Sequence, residues 1–270
     1  LHGDIVAAPG DLAAVVLAAG AGVRLRPLTL VRPKALCPVG GIPLVDHAVG
    51  RARAVTAAVA VNCHRSQPTL AVHLEGLGVH LSVEEGDVLG TAGALGRLRP
   101  WIDGRPTVVL NADTWSGAEL RHLVDGWDGV RARLLCGPAR PGAPATWGDL
   151  AYAGAALLPW SHVSGLTDEP SGLWEVSWRH LRPGADLDLV VADAPFLDCG
   201  TPARYLEANL AASGGASVIG EGAHVEGQVE RSVVWDGARV HPGERLVDAI
   251  RASDEVTVLV RRSPESRAGA

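Results

Sequence analysis

The sequence predicts an α/β fold: a doubly wound, mixed but mainly parallel sheet followed by a short β-helix-like segment. Three observations lead there. Apolar runs of five to seven residues alternate with stretches of helical periodicity through the first two hundred residues. Those runs read as apolar on both faces, as strands of a parallel sheet covered on both sides do. After Asn209 the texture changes, and aliphatic residues recur six apart with turn residues between them.

The elements follow in order. AAVVLAA (13–19), AAVAVN (57–62), HLSVE (80–84) and TVVLNAD (107–113) read as buried parallel strands. Between them, PLVDHAVGRARA and TAGALGRLRPWI carry helical spacing and end in turn residues. Strand–helix alternation of this kind makes a doubly wound sheet, whose ligands bind at the carboxyl ends of the strands. From Pro138 to Gly148 the chain is rich in Pro, Gly and Ala and reads as an irregular loop. AYAGAALLPW (151–160) reads as a further strand, and LDLVVADAPFLDCGTP as one or two more. Ile219 and Val225 are six apart, as are Val234, Val240 and Leu246, which predicts about two imperfect β-helix coils. The expected domains are 1–212, a coil segment at 213–262, and a polar tail at 263–270.

Composition narrows the function. With 270 residues and 47% apolar residues, the chain has the material for one large domain and a small appendage. A net charge of −6 argues against a general nucleic-acid or membrane-surface binder, since both need a positive field. No apolar run reaches the roughly 18 residues of a membrane span, and no signal peptide is legible. Without any Met, Leu1 reads as a product of processing or trimming rather than a natural start. Cys37, Cys63, Cys136 and Cys199 show no CxxC spacing, so neither a disulfide frame nor a zinc site is expected, and a reducing cytoplasm fits.

Against that acidic background, LAAGAGVRLRPLTLVRPKALCPVGG (17–41) gathers Arg24, Arg26, Arg32 and Lys34 around a glycine turn with no acid among them. A phosphate-binding P-loop needs Gly-Lys-Ser/Thr, which Arg24-Leu25 does not supply. A dinucleotide fingerprint needs a small residue where Leu25 stands. Leu17, Gly20, Gly22, Arg24, Leu25, Pro27, Leu28, Thr29, Pro33 and Lys34 instead match, in order and spacing, a different signature. The stretch resembles that of the sugar-1-phosphate nucleotidyltransferases, the nucleotide-sugar pyrophosphorylases. Glycines there let backbone N–H groups approach a base and a triphosphate. Arg24 and Lys34 would cancel the charge that repels an attacking phosphate.

The resemblance continues along the chain. LGTAGAL (89–95) looks like the family's second nucleotide-facing loop, and the resemblance assigns Leu17, Ala18, Ala19, Gly20, Gly22, Gly90, Thr91 and Ala92 to the nucleotide, with Gly93 beside them. NADT (111–114) stands where the family has Gly-Asp; Ala112 replaces the Gly and Asp113 is kept. DCGTPARYLEAN (198–209) resembles the family's closing acid, Gly-Thr-Pro and helix. By this likeness Asp113 and Asp198 would hold one Mg²⁺, a hard cation suited to carboxylates and phosphate oxygens. Asp198 reads alternatively as a helix cap. SVVWDGARV (232–240) is closest in texture to mannose-1-phosphate guanylyltransferases, which implies a Rossmann-like catalytic domain and a left-handed turn to the coils.

One family element is missing. These enzymes commonly carry Glu-Lys-Pro ahead of the strand matching YAGAALLP, and here LLCGPARPGAPATWGDLAYAG has no Lys. Arg140 is the nearest stand-in, although Arg and Lys are not equivalent at a tight phosphate site. Asn111, Asp149, Tyr152 and Gly154 are the expected sugar-phosphate side, with an equal reading in which Asp149 and Tyr152 only flank the strand. Trp147, Trp160, Trp174 and Trp178 read first as core and second as sugar-stacking rings, and His64 as a structural histidine. The expected reaction joins a nucleoside triphosphate to a sugar-1-phosphate, mannose-1-phosphate with GTP first. A non-sugar phosphate acceptor and a catalytically weak regulatory homologue are the alternatives. The coils are too few for an acyltransferase site, and self-association is the role expected of them.

Overall fold

The computed structural model describes residues 12–140, 146–192 and 194–261. The tail expected at 263–270, and residues 141–145 of the expected loop, lie outside them. The chain divides into two compact units, one formed by residues up to Gly20 with Val45–Phe196, the other by Ala21–Leu44 with Leu197 onward.

The first unit is built on a seven-stranded sheet. Its strands are β1 (Ala13–Leu17), β2 (Val59–His64), β3 (His80–Glu84), β4 (Thr107–Asn111), β5 (Ala132–Pro138), β6 (Leu150–Leu158) and β7 (Leu187–Val191), in the order β7-β5-β6-β4-β1-β2-β3. The pairs β1–β2, β1–β4, β2–β3 and β5–β7 are parallel. β6 runs antiparallel to both of its neighbours. The sheet is therefore mixed and mainly parallel, as the apolar runs imply. Val15, Val109, Leu134 and Ala156 on one face pack with Leu95, Leu98 and Ile102 of a helix at Gly90–Ile102. The alternate residues Ala14, Val16, Val61, Val108, Leu110 and Leu157 are equally buried, so both faces are covered.

Two local features of this unit have clear causes. Ala132–Pro138, where the sequence predicts no strand and only Pro138 falls in the expected loop, is a central strand between β6 and β7. Gly137 is tolerated there because the ring of Phe196 fills the space its side chain would take. The helix at Gly90–Ile102 carries three glycines because a backbone segment lies against it: a Cβ on Gly93 would come 2.5 Å from the Glu169 carbonyl oxygen.

The second unit holds the signature loop, a helix at Pro202–Ala212 and the C-terminal strands. Those strands form parallel ladders. Val218–Ile219 pairs with Val233–Val234, His224–Val225 with Arg239–Val240, and Gln228–Glu230 with Arg245–Val247. Val233–Val234 then pairs with Ile250–Arg251. Val234, Ala238, Val240, Leu246 and Ala249 form the small core. Ile219 and Val225, expected at buried corners, are instead 47% and 39% exposed, because the core is built on the second turn of the ladders.

Candidate active site

In the first unit, the carboxyl ends of three neighbouring strands bring Leu17 level with Asn62 on one side and Asn111 on the other. The loop after β1 is held by side chains. The Ala18 N–H donates to Asn62 Oδ1 at 2.7 Å, Asn62 Nδ2 donates to Glu84 Oε1 at 2.7 Å, and the Leu89 N–H donates to Glu84 Oε2 at 3.0 Å. Asn62 and Glu84 are almost wholly buried. A carboxylate at that depth is tolerable only because these bonds meet it. Gln67 Nε2 adds a bond to the Gly20 carbonyl at 3.3 Å. The first glycine loop and the entry to the Gly90–Ile102 helix are thus tied together by one buried relay.

The second predicted loop lies against residues 169–173. Gly90 has φ +70° and its backbone passes so close to Ser171 that a Cβ would sit 2.5 Å from that carbonyl oxygen. Ala92 donates its N–H to the same carbonyl at 3.0 Å, and Thr91 Oγ1 accepts from the Leu173 N–H at 2.8 Å. Ala92 is fully buried.

The expected sugar-phosphate side is less complete. Tyr152 and Trp178 meet edge to face with ring centroids 5.0 Å apart. Tyr152 Oη, Trp178 Nε1 and Arg51 Nε are buried without hydrogen-bond partners among the described residues. Arg51 anchors its Nη2 on the Ala118 carbonyl at 3.2 Å. Burial pushes the Tyr152 hydroxyl far above its ordinary pKa, and the neighbouring Cys136 and Asp113 push it the same way, while Arg51 opposes them. Gly154, at φ +77°, brings its backbone against Thr114, the residue after Asp113: a Cβ would lie 2.5 Å from Thr114 Oγ1. Asp149 is exposed. Trp178 is core, whereas Trp174 is 42% exposed and meets Trp147 edge to face at 5.7 Å. Both ring nitrogens of His64 are engaged, by Ser66 Oγ and the Gly86 carbonyl at 2.7 Å each, as a structural histidine requires.

The second unit carries the cations. Gly22, at φ +62°, lets the signature loop close on itself: a Cβ would fall 2.9 Å from both Lys34 Cβ and Thr29 Cγ2. Thr29 Oγ1 donates to the Gly22 carbonyl at 3.1 Å. This folding brings Arg24 and Lys34 to a single carboxylate. Arg24 Nη2 lies 3.8 Å from Asp198 Oδ2, and Lys34 Nζ lies 3.8 Å from Asp198 Oδ1. Lys34 is buried, while Arg24 and Asp198 are open to solvent. Asp198 is not the cap of the following helix; Thr201 is, its Oγ1 accepting from the Arg204 N–H at 3.4 Å.

Arg32 departs from the expectation that the cluster as a whole faces a triphosphate. It makes a two-pronged ion pair with Asp236 at 3.0 and 3.2 Å and lies over the ring of Trp235. Asn62, Gln67 and Glu84 were not legible as site residues, because the bonds that join them to the loop after β1 and to each other span 22 to 47 residues. The one signal available was a polar residue closing an otherwise apolar strand. Among the described residues no helix is long and apolar enough to cross a membrane, and the four cysteines are free and buried.

With this geometry in hand, comparison with known proteins is specific. A family model described as nucleotidyl transferase matches residues 13–148. The mannose-1-phosphate guanylyltransferase of Mycobacterium tuberculosis is 33% identical over 140 residues, 50% of this chain and 39% of that protein. The N-acetylmuramate alpha-1-phosphate uridylyltransferase of Caulobacter vibrioides is 36% identical over 130 residues, 44% of this chain and 54% of that protein. The match thus spans about half or less of either relative. The solved structure of a mannose-1-phosphate geranyltransferase from Thermus thermophilus aligns with a TM-score of 0.70 at 19% identity, covering 92% of this chain and 95% of that one, a likeness of fold.

Proposed function

Because this chain belongs to the nucleotidyl transferase family, we propose that it transfers a nucleotidyl group from a nucleoside triphosphate to a sugar-1-phosphate. Mannose-1-phosphate with GTP is the first pair to test. The observation that carries the reading is the convergence of Arg24 and Lys34 on Asp198, in a loop that only a glycine at position 22 allows to close. The names of the two relatives support it, since both describe nucleotidyl transfer to the 1-phosphate of a sugar.

In this reading a sugar-phosphate oxygen attacks the α-phosphorus. A new O–P bond forms, the bond from the α-phosphorus to the bridging oxygen breaks, and pyrophosphate leaves. Arg24 and Lys34 cancel the repulsion between the two anions, and no protein nucleophile is needed. Leu17, Ala18, Ala19, Gly20, Gly22, Gly90, Thr91 and Ala92 serve the nucleotide; Asn111, Asp149, Tyr152 and Gly154 serve the acceptor. Asp113 and Asp198 are the proposed Mg²⁺ ligands. The donor chemistry fits: Mg²⁺ is usually held by one or two carboxylates together with substrate phosphates rather than by an all-protein cage. No group of three or more metal-binding side chains occurs among the described residues. When bound, the ion would neutralise phosphate charge and orient the leaving group. The parallel ladders support reading 213–262 as a short β-helix-like segment; a left-handed turn and a role in self-association are proposed with it. Free, buried thiols and a triphosphate donor favour the cytoplasm.

A second reading, transfer to a non-sugar phosphate, is favoured by the missing Glu-Lys-Pro element. Pyrophosphate release from a matrix of nucleoside triphosphates against sugar-1-phosphates and phospho-alcohols, with Mg²⁺ or chelator, separates the two. Release that needs one sugar pair, the metal and Asp113 establishes the first reading. Silence with every sugar, and turnover with a phospho-alcohol, replaces it with the second.

A further inference from the structure

The segment from Arg32 to Gly40 carries Lys34 and is gripped at both ends by later parts of its own unit. At the leading end, the Arg32 guanidinium carbon stands 4.5 Å from the centroid of the Trp235 ring, and its two Nη atoms donate to the two oxygens of Asp236. At the trailing end, Tyr205 donates its hydroxyl to the Pro38 carbonyl, which also accepts from Asn209 Nδ2 at 3.3 Å. Asn209 Oδ1 accepts from the Gly40 N–H at 3.1 Å. The two grips are one structure, because Trp235 Nε1 donates to Tyr205 Oη at 2.9 Å. Trp235 and Tyr205 are fully buried.

We propose that the Trp235–Asp236 corner of the C-terminal ladders is a positioning element for Lys34, acting through Arg32. This rests on the reading that Lys34 meets phosphate. The chain between them is short: Pro33 separates Arg32 from Lys34, and its ring leaves φ little freedom. Turning the Arg32 backbone therefore turns Lys34. Stability is a poor explanation for the pair. Asp236 is half exposed, and ion pairs of that exposure contribute little to folding. What two parallel N–H···O bonds and a stacked ring do provide is a fixed direction for one guanidinium, which a lysine could not reproduce. Trp235 and Asp236 touch no reacting group; they are positioning residues.

Cys37 supplies a probe that does not depend on turnover. It lies between Lys34 and Pro38, is wholly buried, and has its thiol pushed up to about 12 by burial. Loosening the segment exposes it, while Cys136 in the sheet of the other unit serves as an internal control.

The test uses the full chain with Asp236→Asn, Arg32→Lys and the double variant. Pyrophosphate release gives kcat and KM, thiol alkylation mapped by mass gives the Cys37-to-Cys136 ratio, and thermal melting reports stability. The expected result is a fall of roughly tenfold in kcat in each single variant, with KM for the triphosphate and the melting temperature nearly unchanged. The double variant is no worse than either single, as members of one coupled unit behave. Alkylation of Cys37 rises several-fold over Cys136. In an active enzyme, a change in kcat without Cys37 exposure, Cys37 exposure without a change in kcat, or no change in either overturns the proposal. So does equal exposure of both cysteines, which marks general loosening. If the wild-type protein transfers nothing, the reading of its function fails. Selective Cys37 exposure then still decides whether the grip exists.

Discussion

The two sides of the first unit are finished to different degrees. On the proposed nucleotide side every buried polar group of the Ala18–Asn62–Glu84–Leu89 relay is answered by another, at 2.7 to 3.0 Å. On the proposed acceptor side, Tyr152 Oη, Trp178 Nε1 and Arg51 Nε are buried without a hydrogen-bond partner among the described residues. A closed relay fixes backbone in one place and makes a pre-formed surface for a ligand. Open polar valence in an apolar wall is costly unless something meets it. Under the proposed function, the contrast means that donor recognition is built into the folded chain, whereas acceptor recognition is left for the acceptor to complete.

The largest effect tests the closed side. Glu84→Gln keeps the shape but sets one amide NH₂ against that of Asn62, so the relay cannot be satisfied from end to end. Loss of these bonds to a carboxylate is expected to cost about 2–3 kcal/mol. That corresponds to a drop of roughly 5–10 °C in melting temperature, together with a raised KM for the triphosphate. A variant that melts and turns over like wild type would break the comparison. Gly93→Ala comes next. Its Cβ must displace the Glu169 carbonyl or Leu89, at a cost of about 1–3 kcal/mol from which better helix propensity returns up to ~1 kcal/mol. Chemical denaturation reads the balance, and a stabilised protein would mean that segment 169–171 is not held against the helix.

Tyr152→Phe sharpens the open side. Removing a hydroxyl with no partner should leave stability unchanged or raise it by up to about 1 kcal/mol. The KM for the acceptor should rise about 2–10-fold with that for the triphosphate unmoved. A loss of stability would show that the hydroxyl is already answered and would erase the difference between the two sides. The smallest change is Asp149→Asn, at an exposed position, where stability should move by less than about 0.5 kcal/mol. A larger shift would place Asp149 in the folded network instead.

Legibility in the sequence follows the same division. The strands β1, β2 and β4 were readable because apolar runs of that length have few other uses, and the ordered match from Leu17 to Lys34 picked out the loop whose cations gather on Asp198. Residues 132–137 were not legible as a strand, because Arg133 and Gly137 interrupt the apolar run, and Pro138 reads as the start of a loop. In the fold Arg133 reaches sideways to the Leu123, Asp125 and Gly126 carbonyls, and Phe196 fills in for the glycine. The Asn62–Glu84 relay was hidden for another reason: its partners meet only once β2 and β3 are in register. Arg32 likewise looked like one cation among four, since nothing near it in the chain announces Asp236, 204 residues on.

That separation also has a consequence in time. The signature loop leaves the ribosome ahead of its holders: Tyr205 follows Pro38 by 167 residues and Asp236 follows Arg32 by 204. At synthesis rates of about 5–20 residues per second, the loop waits roughly 10–40 s for the residues that hold it. For that interval a nascent chain displays its cations unclasped. Assembly of the second unit is thus ordered by translation: the loop is made first and fastened last.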